Sequence, residues 1–157
     1  MKTKIRRGFF ETNSSSSHGV CIDLINDFQL PSTIYFRFNS FGTFFGPYND
    51  LMMKASYLYT GFYHYNYAWF FTRIIPMLEK NNIQVFYEDM EDISFDHYFD
   101  AVWFGSFFDL ISKDELLLKQ FLFSPRSFLT GGMYGSDDKF YKNLDYECYV
   151  YSAAGIG

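Results

Sequence analysis

Cysteine is nearly absent from this 157-residue sequence: Cys21 and Cys148 are far apart and belong to no CxxC pair. Two thiols so placed point to a reduced, cytosolic chain in which both stay unpaired. Long apolar runs are missing as well, since no uninterrupted stretch approaches the ~18 residues of a membrane span. No signal peptide fits, because the basic start leads into Gly8-Phe9-Phe10-Glu11 and a polar loop instead of an apolar core. Lys and Arg are absent between positions 88 and 100, where Glu88, Asp89, Glu91, Asp92, Asp96 and Asp100 fall together. No GxSxG elbow, HExxH pair, EF-hand loop or internal repeat is present.

What is present is a globular composition, 48% hydrophobic and 20% charged, in a chain of single-domain length. Aromatic residues reach 24%, with 21 Phe and 14 Tyr. AT-rich codon usage accounts for such an excess without any functional demand. The sharper reading is an aromatic surface for a protein partner, with Tyr the residue that tolerates partial exposure. The net charge of −5 is uneven: Lys2, Lys4, Arg6 and Arg7 crowd the start, while acids crowd the middle. A body of that polarity lacks the broad basic face of a nucleic-acid reader, so no direct DNA binding is expected.

Hydrophobic patterning predicts strands over 20–24, 33–38, 83–87, 128–130 and 146–151, with a loop over 39–49 that contains Gly42, Gly46 and Pro47. Asp50 is placed to cap a helix whose Leu51, Ala55, Leu58 and Phe62 form an apolar stripe. A second helix is expected over 66–80, kinked by Pro76 and stopped at Asn81-Asn82. Ser112-Lys113-Asp114-Glu115 reads as a capping box opening a third helix through Phe123, with Leu117, Leu118, Phe121 and Leu122 inward. Together these predict a single α+β domain: three main helices on a small antiparallel or mixed sheet.

The segment Thr12-Asn13-Ser14-Ser15-Ser16-Ser17-His18 is too polar for a core element and immediately precedes a strand. Three chemistries are open to it. A serine nucleophile needs His18 or His97 as base and a carboxylate to orient it, and sequence neighbours seldom achieve that geometry. An anion site would combine Ser14, Ser15, Ser16, Ser17 and His18 with Arg6 and Arg7 to hold a phosphate. A structural plug would use the same side chains to satisfy turn backbone. The acidic run likewise reads as a solvated face, as a metal site built from Glu88, Asp92, Asp96 and His97, or as a phosphate-like surface for the basic groove of a nucleic-acid-binding protein.

Arg7-Gly8-Phe9-Phe10-Glu11-Thr12-Asn13 followed by four serines and His18 resembles the start of a group of small uncharacterised proteins of bacteriophages and Gram-positive bacteria. Lys54-Ala55-Ser56-Tyr57-Leu58-Tyr59-Thr60, the pair Asp96-His97, and the segment from Phe121 through Ser124-Pro125-Arg126-Ser127 to Gly131 are similar to that group too. The chain departs from the pattern at Gly19, where Ser is expected, and after Gly131, where Gly132-Met133-Tyr134 stands in place of a Gly-Asn-Asp-Asn-like turn. The resemblance implies phage origin and brings no activity or cofactor with it. The reading that follows is a non-enzymatic phage accessory protein that binds and inhibits a bacterial protein, with anti-phage defence such as a CRISPR effector the leading target. The alternative is a small enzyme or binding protein for a nucleotide or phosphorylated ligand. Self-association through the aromatics is a third possibility.

Overall fold

A computed structural model of the chain describes residues 5–12, 18–41, 45–89, 105–131 and 148–154. Seven strands and four α-helices are placed among these residues in an α+β arrangement: β1 (Ile5–Thr12), β2 (His18–Asp23), β3 (Thr33–Phe36), β4 (Phe45–Tyr48), α1 (Leu51–Trp69), α2 (Ile75–Glu79), β5 (Gln84–Tyr87), α3 (Gly105–Ile111), α4 (Glu115–Phe123), β6 (Phe128–Gly131) and β7 (Cys148–Ala154). The main sheet is mixed, in the order β1-β7-β2-β6-β4, with β1 parallel to β7 and the other pairs antiparallel. β3 and β5 form a separate parallel pair.

α1 starts where the sequence places it. The Asp50 carboxylate accepts the Met53 N–H at 3.1 Å, as an N-cap does. Its burial departs from the single stripe expected, because all nine residues from Lys54 to Phe62 are buried. A helix covered all round is a central element, here with contacts to β3, α3 and α4. Tyr57, Tyr59, Phe36, Phe41, Phe62, Phe70, Phe107 and Phe108 are fully enclosed, so much of the aromatic excess is core. Their rings meet edge-on or tilted, as in Phe36–Phe70 at 4.9 Å and Phe62–Phe108 at 5.2 Å.

The second helix, expected to start at Asn66, is joined to the first within α1, and Asn66 marks a break between them: its φ of −160° and ψ of 89° interrupt the helical path. A π-helical turn, Phe70–Ile74, then leads into α2, with the Ile75 N–H reaching the Phe70 carbonyl. Widening the helix there accommodates Pro76, which has no N–H to donate and whose ring crowds the preceding turn. Asn82, at φ 61°, ends the segment.

Three expectations need correction. Part of the stretch expected as a loop over 39–49 is β4, paired with β6 with a shift of register between Phe45 and Tyr48; Gly46 lies between them at φ 79°. α4 opens at Asp114, whose carboxylate accepts the Leu117 N–H at 3.0 Å, and not at Ser112. Ser112 ends α3, a helix the sequence reading did not identify, and donates to the Asp109 carbonyl at 2.7 Å.

Candidate functional site

Among the described residues, a dense polar cluster lies where β2 ends, beneath the turn between α4 and β6. Asp23 is fully buried. Its carboxylate accepts the Ser124 hydroxyl at 2.8 Å, Arg126 Nε at 2.9 Å and the Ile25 N–H at 3.0 Å, which satisfies a charge that would be costly to bury alone. The Asp23 N–H donates to the Ser127 hydroxyl at 2.8 Å, which in turn donates to the Gln120 carbonyl at 2.7 Å. Gln120 Nε2 continues the network to Asn26 Oδ1 and the Leu24 carbonyl.

From below, Lys54 Nζ donates to the carbonyls of Ser124 and Ser127 at 2.8 and 3.1 Å. Lys54 is 1% exposed, and burial pushes its pKa down to about 8 against a weaker opposing pull from Asp50. The Lys54 and Ser124–Ser127 segments therefore meet in space. Sequence reasoning did not join them, because no spacing rule connects residues 70 positions apart.

His18 lies on β2 opposite Gly131 of β6 and Ala153 of β7. It is buried, with Nδ1 2.8 Å from the Tyr57 hydroxyl and its ring edge-on to Phe45 at 4.8 Å. Arg6 and Arg7 are on β1, in register with Tyr149 and Val150. Ser14, Ser15, Ser16 and Ser17 lie outside the described residues, as do Glu91, Asp92, Asp96, His97 and Asp100.

Two residues of the acidic run can be placed. Asp89 is exposed. Glu88 is half-buried: its carboxylate accepts the Phe38 N–H at 2.9 Å and its carbonyl accepts the Tyr59 hydroxyl. Glu88 is thus a bracket between strand ends as well as an acid. The Tyr67 and Tyr59 hydroxyls are 2.6 Å apart, and burial raises the pKa of both phenols above the ordinary tyrosine value.

Beside these acids the end of the β3–β5 pair forms a ledge, with Tyr35 on the face of Phe86 and Tyr87 on the opposite face, against Tyr59, Phe70 and Phe71. Tyr35 of β3 stacks on Phe86 of β5 at 4.7 Å, with their planes 13° apart, and the Arg37 guanidinium is 5.9 Å from the Tyr35 ring. Tyr35 is 54% and Tyr87 48% exposed. The two line a shallow groove of about 320 Å³ with Phe36, Arg37, Phe86 and Glu88. Parallel sheets are ordinarily covered on both faces, so exposed aromatics on this one stand out.

Compared with protein-family models, curated proteins and solved structures, the chain matches none. Among the described residues no helix is long and apolar enough to cross a membrane, and no group of three His, Cys, Asp or Glu is placed to hold a metal ion.

Proposed function

We propose that this chain is a phage-encoded accessory protein that binds and inhibits a bacterial protein, docking through the β3–β5 ledge. The observation that carries the reading is the pairing of half-exposed Tyr35 and Tyr87 with Glu88 and Asp89 at one sheet end. Rigid aromatics supply contact area at low entropic cost, and adjacent acids favour a basic counterpart. Glu91, Asp92, Asp96 and Asp100 follow in sequence. Anti-phage defence machinery with a nucleic-acid groove, such as a CRISPR effector, is the target class this chemistry fits. Phage origin rests on the similarity of the start and of the Lys54 and Ser124 segments.

The test is a pull-down from bacterial lysate with the wild-type chain and a Tyr35→Ala/Tyr87→Ala variant, read by mass spectrometry. A stoichiometric nucleic-acid-binding protein captured by the wild type and lost with the variant is the expected result. A co-purifying nucleotide with no protein partner would instead favour the ligand-binding alternative built on Arg6, Arg7 and the serine loop.

A further inference from the structure

A second concave site shares no residue with the ledge. It is a cleft of about 540 Å³ between the loop after β2, the β4–α1 turn, the first turn of α1 and the end of α4. Leu30, Pro31, Leu51, Leu122, Phe123 and Pro125 give it apolar walls, and Gln29, Asn49 and Asp50 stand at its polar margin. Its size and mostly apolar lining, with a few convergent polar groups, match those of small-molecule sites.

Lys54 lines the cleft and decides which ligand suits it. Two of its three N–H bonds go to the Ser124 and Ser127 carbonyls. Among the described residues the third has no acceptor, and no carboxylate lies within ion-pair distance of Nζ. Asp50 is the nearby acid, but it is exposed and already accepts the Met53 N–H. Lys54 and Asp50 both line the cleft, and the buried ammonium is screened less by water than the exposed carboxylate. The amino-terminal end of α1 adds positive potential of the same sense.

We infer that this cleft binds an amphiphilic monocarboxylate, its hydrocarbon against Leu51, Leu122 and Phe123 and its carboxylate toward Lys54. A neutral amphiphile of equal length gains the apolar contact but not the charge.

Octanoate and octanol are the probes, titrated separately into the full chain and followed by amide chemical shifts in ¹H–¹⁵N NMR spectra. Octanoate should saturate with shifts at Leu51, Lys54 and Leu122, and bind at least ten-fold more tightly than octanol. Asp50→Asn keeps a good helix cap while removing the competing charge, and should tighten octanoate several-fold without changing octanol. Lys54→Met should erase the preference for octanoate. Equal affinity for the two probes, shifts confined to other parts of the chain, or an Asp50→Asn protein no tighter than wild type would overturn the assignment. The Asp50→Asn result decides the matter even where Lys54→Met fails to fold.

Discussion

Asp23 and Arg126 form a one-sided ion pair: the carboxylate is 0% exposed, while the guanidinium that reaches it at 2.9 Å is 42% exposed. The two partners therefore contribute unequally. Asp23→Ala removes the acceptor for Ser124, Arg126 and the Ile25 N–H together but leaves an arginine that water can solvate, and should cost about 1–3 kcal/mol. Arg126→Ala leaves the buried carboxylate with two neutral donors and no counter-charge, and should cost about 3–5 kcal/mol. Urea denaturation of both variants checks the ratio.

Gly61 of α1 has no room for a side chain. A Cβ there would lie 2.0 Å from Cζ of Phe108. Gly61→Ala should destabilise by about 1–3 kcal/mol despite its better helix propensity, because overpacking outweighs that gain. Adding Phe108→Leu should recover part of the loss, and a double-mutant cycle measures the coupling.

Lys54 and Tyr59 predict a curved dependence of stability on pH. Between about pH 8 and 10.5 the unfolded chain keeps the Lys54 proton that the folded chain releases, so stability rises with pH across that window. Above about pH 10 the unfolded chain loses the Tyr59 proton that the folded chain retains, so stability then falls. A maximum near pH 10 is expected in denaturation series. Lys54→Met should remove the rise, and Tyr59→Phe should lessen the fall.

Tyr35→Ala/Tyr87→Ala tests surface against core. Tyr35 packs on Phe86 outside the main core, whereas Tyr87 also touches Phe71 at 5.2 Å. The double variant should lose about 1–2 kcal/mol by thermal denaturation and remain folded, while partner capture falls to background.

Elements governed by local chemistry were legible in the sequence: the Asp50 cap, the Asn66 break, and the inward Leu117, Leu118, Phe121 and Leu122 of α4. β4 was not, because Gly46 and Pro47 are turn residues by propensity, and its pairing depends on β6, some eighty positions later. The capping box misplaced the start of α4 because Ser112 and Asp114 both satisfy cap chemistry, and only the end of α3 distinguishes them. Of the candidate site residues, His18 and Glu88 proved to have internal partners that no local pattern encodes. The Asp23–Lys54–Ser124 cluster escaped notice for the same reason: its members are ordinary residues until folding joins them.

The position of β7 between β1 and β2 sets the order in which this protein can be assembled. Asp23 and Cys148 face each other across 125 positions of chain. At about 5–20 residues per second of synthesis, the early strands leave the ribosome roughly ten seconds before the strand that joins them. Through that interval β1 has no β7 to pair with, and its backbone groups stay open to water, to chaperones or to a neighbouring nascent chain. Completing the main sheet is consequently a late event, governed by closure of a long loop more than by the helices that form early.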